Sequence, residues 1–138
     1  MMSAPAVNAQ TVSLNGVVAN ICVLTLTTPG ILTVSSGGTE IATSNAGAIP
    51  ALMSVVATGT NPTVTFTAPA LTGPSASGAT TEISFSSPGG ANRAFASTGY
   101  TRPMTGLLDT LTINGRARNS SGFQTGTYSI TSTATCSQ

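Results

Sequence analysis

The chain has 138 residues, enough for one domain with a single hydrophobic core. Charged residues make up 5% of it (four arginines, three acids, no lysine and no histidine), and the net charge is +1. Soluble domains carry about 25% charged residues, so we expect a surface of serine, threonine, asparagine and backbone groups. So little charge excludes the electrostatic steering of nucleic acid, and a nearly neutral surface favours association.

The chain opens with an N-terminal arm at residues 1–10, ahead of a single β-domain that we place at residues 11–138. Val7-Asn8-Ala9 is similar to the small-residue site that ends a signal peptide, but the charged and apolar regions that precede such a site are absent. The arm is therefore either a signal-peptide remnant or a true extension. No apolar run is long enough to cross a bilayer, so we expect no membrane span.

The first predicted strand covers residues 11–26, with Val12 and Leu14 on one face and a turn or bulge at residues 15–16. The later predicted strands are residues 31–34, 48–57, 63–68, 82–85, 111–117 and 126–136. Residues 48–57 are also compatible with a short helix, but their β-branched content favours a strand.

Other segments lack a strand pattern. We expect irregular structure at residues 40–48, a surface loop at residues 69–80 and a long connection at residues 88–106. Asn114-Gly115 leaves open a hairpin within the strand at residues 111–117. Asn119-Ser120-Ser121 matches a glycosylation acceptor, although a simple turn is the better interpretation.

Alternation is clearest in two strands. Residues 63–68 place Val64, Phe66 and Ala68 on the core side. In the last strand one face is predicted to point inward, Tyr128, Ile130, Ser132, Ala134 and Cys136. The other face is a row of hydroxyl residues, Thr127, Ser129, Thr131, Thr133 and Thr135.

The chain has two cysteines, Cys22 in the first strand and Cys136 in the last. We interpret them as a disulfide that ties these strands together and closes a sandwich, which indicates an oxidising compartment. Two free buried thiols are the alternative. Short strands separated by turn signals, with almost no helical periodicity, predict an all-β sandwich.

Side chains that usually carry catalysis are scarce. Without histidine there is no imidazole base or zinc ligand. Glu40, Glu82 and Asp109 are too widely separated for an acid–base pair to be expected, and no glycine pair has the setting of a phosphate-binding loop. We therefore expect no enzyme, no metal site and no cofactor.

Residues 14–23 and the last strand from Gly126-Thr127-Tyr128 onward resemble segments of bacterial chaperone–usher fimbrial subunits. Residues 14–23 contain a glycine, a short apolar run and a cysteine, and they resemble the first strand of those subunits. Gly126-Thr127-Tyr128, followed by alternating hydroxyl residues, resembles their closing strand, including that of the spore-coat-U-like, archaic-pilus branch. Residues 53–59 and 63–67 fit the middle strands of such domains.

The resemblance implies an immunoglobulin-like β-sandwich of about seven strands that lacks one strand and is completed by a neighbour's donor strand. Residues 1–14 are the candidate donor. The side chains implied as groove fillers are Met2, Ala4, Ala6, Val12 and Leu14.

The function implied by the resemblance is that of a structural subunit of an extracellular bacterial surface filament, a pilus or fimbria. Such a subunit is secreted, forms a homo-polymer, and is handled by a periplasmic chaperone and an outer-membrane usher. Two other functions stay open, a secreted adhesin or glycan-binding module and a virion decoration protein.

Overall fold

The computed structural model describes residues 9–17, 21–59, 62–104 and 108–137. Those residues contain twelve strands and no helix, so the prediction of an all-β sandwich is confirmed. The strands are β1 (Ile21–Thr28), β2 (Thr33–Val34), β3 (Glu40–Ala42), β4 (Ala51–Thr58), β5 (Thr63–Phe66), β6 (Ala70–Thr72), β7 (Thr80–Ser86), β8 (Arg93–Ala96), β9 (Tyr100–Pro103), β10 (Leu108–Arg118), β11 (Ser129–Thr131) and β12 (Ala134–Ser137).

The first sheet is built around the long strand β10. Strands β4 and β3 pair end to end along one side of β10, and β7 pairs along the other side. Strand β1 pairs with β4, and β2 pairs with β3. Because an Ile31–Ile49 bridge continues this pairing, β1 and β2 form one interrupted row at the edge of the sheet. Strand β8 forms the opposite edge, next to β7.

The second sheet has β5 and β6 in its middle row. Strand β5 pairs with β9 and with β12, while β6 pairs with β11. The two ladders meet at Thr67, where the backbone N–H of Thr133 donates to Thr67 Oγ1 (2.8 Å) and the Ser132 hydroxyl donates to the Thr67 carbonyl (2.7 Å). These bonds carry the chain across the irregularity, so β11 and β12 also form one interrupted edge row.

The core lies between the two sheets. Its buried members are Val55, Val64, Phe66, Ile83, Phe85, Ala91, Met104 and Leu111. The Phe85 ring contacts those of Phe66 and Tyr100, at centroid distances of 4.5 and 4.9 Å. Tilted aromatic contacts of this kind add to the gain from apolar burial.

The predicted disulfide is present. Cys22 of β1 and Cys136 of β12 are bonded, and their Cα atoms are 6.1 Å apart. Since β1 and β12 belong to different sheets, the bond joins the edge row of one sheet to the edge row of the other.

The inward and outward faces of the last strand are those predicted. The five alternate hydroxyl residues from Thr127 to Thr135 are exposed, and the residues between them are partly buried. The strand itself is divided, because pairing stops at Ser132 and resumes at Ala134.

Several predictions for the first half of the chain were wrong or incomplete. Residues 9–17 form no strand, and the first strand begins only at Ile21; residues 18–20 lie outside the described residues. Strand β3 lies in the segment predicted to be irregular. Ala68 is exposed rather than in the core, because β5 ends at Phe66, just before the irregularity at Thr67.

In the second half of the chain, three short strands were not predicted from the sequence. Strand β6 lies in the predicted surface loop, and β8 and β9 lie in the predicted long connection. The hairpin alternative at Asn114-Gly115 was wrong, since β10 continues through both residues and Gly115 is buried. The strand prediction for residues 48–57 is confirmed by β4.

Candidate functional site

The sandwich has two ends that differ. Strand β1 begins and β12 ends beside the Cys22–Cys136 bond, and we call this end the disulfide pole. From β1 the chain runs along the β1–β2 edge row and reaches Val34 at the other end of the sandwich. We call this end the open pole. Strand β11 begins toward this second pole and runs back toward the bond.

An uncharged groove, lined by apolar side chains together with hydroxyl and backbone groups, lies between the two edge rows, β1–β2 and β11–β12, and we call it the edge groove. It contains two cavities of about 370 Å³ each. The inner cavity is lined by Gly30, Ile31, Leu32, Thr43, Ala51, Ile83, Ile113, Gly115, Tyr128, Ser129 and Ile130. The outer cavity, nearer the open pole, is lined by Leu32, Val34, Ile41, Phe123, Gln124, Thr125, Gly126 and Tyr128. The cavities are adjacent, because they share Leu32 and Tyr128.

The floor of the inner cavity is apolar and carries no charge. Its one buried hydroxyl, that of Thr43, donates to Asn114 Oδ1 (2.7 Å) and accepts from the backbone N–H of Gly115 (3.1 Å). The hydroxyl is thus satisfied within the protein. Gly115 widens the cavity, since a Cβ there would stand 3.3 Å from Ile130 Cδ1.

Large apolar side chains on the β1–β2 row are left half exposed. Leu26 shares the inward face of Cys22 and Leu24, yet 54% of it is accessible, and Ile31 and Val34 on the same row are 50% and 56% accessible. Side chains on a core-facing edge are normally covered by the next strand. The groove is therefore an unfilled place in the sandwich.

The other wall of the groove offers backbone groups as well as side chains. Strand β11 pairs with β6 on one side only within the described residues. Its second edge faces the groove, and a free strand edge readily accepts a further strand.

The loop at the open pole is held by an aromatic pair. The rings of Phe123 and Tyr128 meet edge to face at 5.3 Å, and the Tyr128 hydroxyl donates to the Gln124 carbonyl at 2.6 Å. Gly73 has a φ of +145° and packs so closely on Tyr128 that a Cβ would stand 2.3 Å from the ring. These contacts give the outer cavity a fixed wall.

The described part of the N-terminal arm carries apolar side chains that are not buried against its own domain. Because residues 9–17 form no strand, we extend the name arm to residues 1–17 from here on. Its described residues, 9–17, are all exposed, and the exposed fractions of Val12 and Leu14 are 79% and 92%. The arm joins the sandwich at the disulfide pole, where β1 begins. The other predicted groove fillers, Met2, Ala4 and Ala6, lie outside the described residues.

The ionisable residues take structural roles away from the groove. Arg116 pairs with Glu82 (2.9 Å) and Arg118 with Glu40 (3.2 Å), in both cases across neighbouring strands. Asp109 is buried and accepts from the backbone N–H groups of Gly89 (3.1 Å) and Thr110 (3.0 Å). In the described parts of the chain, no three acidic, histidine or cysteine side chains cluster in a way that could hold a metal ion.

The asparagine of the possible glycosylation acceptor is used inside the fold. Asn119 is only 7% exposed, and its amide donates to the carbonyls of Ser75 (3.1 Å) and Ser77 (3.4 Å). Its Oδ1 accepts from the backbone N–H of Ser121 (3.0 Å). The folded chain therefore presents this residue as a turn and not as an accessible acceptor.

Comparison with protein-family models, with curated proteins and with solved structures finds no match. Among the described residues, no helix has the length and apolar character needed to cross a membrane. The interpretation of the chain therefore depends on its own geometry.

The sequence led to the bridge and to the arm, but it did not lead to the walls of the groove. Ile31, Gly115 and Ile130 lie on three different strands or bridges, and only the fold brings them together. One local pattern did point to a wall of the groove. The apolar pair Ile31-Leu32 directly follows the Pro29-Gly30 turn.

Proposed function

We propose that the protein is a structural subunit of an extracellular filament and polymerises by β-strand donation, the arm of one copy entering the edge groove of the next. The observation that carries this proposal is an unfilled edge groove with a free strand edge, in a chain that also has an exposed apolar arm. The domain is then an immunoglobulin-like sandwich lacking one strand. The Tyr128–Gln124 bond supports this, because it is similar to the tyrosine corner of such folds.

The positions of the arm and the groove favour a filament over a closed dimer. The arm joins the sandwich at the disulfide pole, whereas the outer cavity opens at the other pole. Donation therefore places the disulfide pole of one copy against the open pole of the next. A head-to-tail contact of this kind continues into a fibre unless rotation closes it into a ring.

The chemistry of the two partners matches. Residues 9–17 contain no charged side chain, and neither do the walls of the two cavities. Burying a valine or leucine side chain contributes about 1.5–3 kcal/mol, and Leu26, Ile31 and Val34 of the acceptor would be covered at the same time. This burial and a new strand ladder act against the conformational entropy that the arm loses when it is ordered.

A periplasmic chaperone and an outer-membrane usher fit this proposal as assembly partners. A subunit with an empty edge groove needs that groove covered until a neighbour arrives, because exposed apolar patches and free strand edges promote aggregation. The disulfide is typical of proteins that fold in an oxidising compartment such as the periplasm.

Electron microscopy and light scattering of the purified full-length chain test the proposal. We expect fibres from the unmodified protein and none from Val12→Asp, because that substitution brings a charge into the uncharged edge groove. Ser13→Asp is the matched control, since it adds the same charge to the opposite face of the donated strand and should leave the fibres intact.

Two results would contradict the proposal. One is an unmodified chain that stays monomeric at all concentrations and is unaffected by removal of residues 1–17. The other is a monomer whose unfolding temperature falls when the arm is removed, since the arm would then fill the groove of its own domain.

A further inference from the structure

We propose that the Cys22–Cys136 bridge is an end-stop that fixes the donated strand in one register, with Val12 in the inner cavity and Leu14 in the outer cavity. This inference rests on the proposed function. It adds a role for the bridge beyond stability, and it assigns Val12 and Leu14 to one cavity each.

The bridge leaves no room for a strand at its end of the groove. Neighbouring strands lie about 4.7–4.9 Å apart, so a strand inserted between two others needs roughly 9–10 Å between them. The Cα atoms of Cys22 and Cys136 are only 6.1 Å apart. The donated strand must therefore end its pairing before the bridge, on the part of the groove that β11 borders.

The direction of the donated strand follows from the two poles. The body of the donor lies at the open pole of the acceptor, so the arm enters there and its N-terminal part reaches deepest. Strand β11 runs from the open pole toward the bridge. The donated strand consequently lies antiparallel to β11 and parallel to β1, and Leu14 lies nearer the open pole than Val12.

The register follows from the match between two cavities and two side chains. Val12 and Leu14 share one face of an extended strand, and their neighbours on that face are Gln10 and Gly16. A strand two residues shallower would place Gln10 on the apolar floor of the inner cavity. A strand two residues deeper would move Gln10 from the level of residues 132–134 to the bridge, where the two edge rows lie too close together to admit a strand.

Fibre formation by full-length variants tests the assignment. Gly115→Val fills the inner cavity from its floor, and we expect it to reduce the fibre yield at least tenfold. Adding Val12→Ala should restore the yield, because a smaller donor side chain compensates for the larger floor. Adding Leu14→Ala instead should not restore it. Circular dichroism and thermal unfolding check that each variant folds, and Ile31→Phe narrows the same cavity from its exposed rim if Gly115→Val does not fold.

The end-stop is tested by removing the bridge. With Cys22→Ser and Cys136→Ser in the Gly115→Val background, the strand can slide two residues deeper, so Leu14→Ala should now also restore fibres. As a second measurement, a photo-crosslinking residue at position 10 of the bridged protein should label residues 132–134 of the neighbour.

The possible outcomes separate the two proposals. Failure of the unmodified chain to form fibres removes both. Fibres from the unmodified chain, together with rescue of Gly115→Val by Leu14→Ala but not by Val12→Ala, overturn the register alone. Labelling from position 10 spread beyond the bridge, or unchanged rescue after its removal in a folded variant, overturns the end-stop.

Discussion

At the scale of single residues, buried amide and hydroxyl side chains connect separate segments in a chain that has only 5% charged residues. Asn119 connects three segments, because its amide reaches the loop at residues 75–77 and its carbonyl oxygen caps the turn at Ser121. Thr43 performs the same task beneath the inner cavity, where its hydroxyl joins Asn114 and Gly115. Amide and hydroxyl groups of this kind specify how loops lie on a sandwich without the cost of burying ions.

Asn119→Ala should destabilise the domain by about 1–3 kcal/mol, because it removes three hydrogen bonds made by a buried side chain, each contributing about 0.5–1.5 kcal/mol. Chemical denaturation measures the change. Asn92→Ala is the control, since Asn92 is exposed and its replacement should change the free energy of unfolding by no more than about 0.5 kcal/mol. Equal effects from the two substitutions would show that the Asn119 contacts contribute nothing specific.

At the scale of the strands, alternation decides which side chains matter. In β5, Phe66 is buried against Phe85, whereas its neighbour Thr65 points outward and only receives a 3.3 Å hydrogen bond from Thr101. Adjacent residues of one strand thus have opposite environments.

Phe66→Ala should lower the free energy of unfolding by about 3–5 kcal/mol, because it removes a core aromatic and leaves a cavity. Thr65→Ala, one position away, should cost less than about 1 kcal/mol. Urea titration of both variants measures the difference. Similar losses would mean that the two faces of β5 are not core and solvent.

The strand faces that the sequence predicted best belong to strands in which apolar and hydroxyl residues alternate. Strand β5 and the last strand alternate over several positions, so their faces were readable from the sequence. Strands β6 and β9 show no alternation of apolar and hydroxyl residues, and glycine and proline around them favour a loop. They form because β11 and β5 offer partners that are distant in sequence.

The arm and the groove also differ in how far the sequence alone predicts them. Val12 and Leu14 were identified as candidate donors, with Met2, Ala4 and Ala6, from the resemblance of the chain to fimbrial subunits. Gly115 was considered for a turn, because Asn-Gly is a local hairpin signal. Its position beneath Ile130 depends on the packing of the second sheet on the first, and no local pattern contains that information.

At the scale of the whole molecule, one covalent bond closes almost the entire chain into a loop. The bridged cysteines are 114 residues apart. Breaking the bond frees the unfolded chain, and loop-closure entropy predicts a loss of about 4–5 kcal/mol in the free energy of unfolding. That is a large share of the 5–15 kcal/mol typical of a domain.

Denaturation with and without a thiol reductant measures this loss. The double variant Cys22→Ser, Cys136→Ser should match the reduced protein and should be insensitive to the reductant. If the oxidised and reduced proteins unfold at the same denaturant concentration, the bond does not contribute to stability in this way.

Under the proposed strand donation, the placement of arm and groove at opposite poles makes an assembled fibre polar. One terminal subunit carries an arm with no acceptor, and the subunit at the other terminus carries a groove with no donor. In such a fibre, an incoming subunit would supply its groove at one tip and its arm at the other. A specialised terminal protein would need only one of the two halves, either a groove without an arm or an arm on a domain that is already complete.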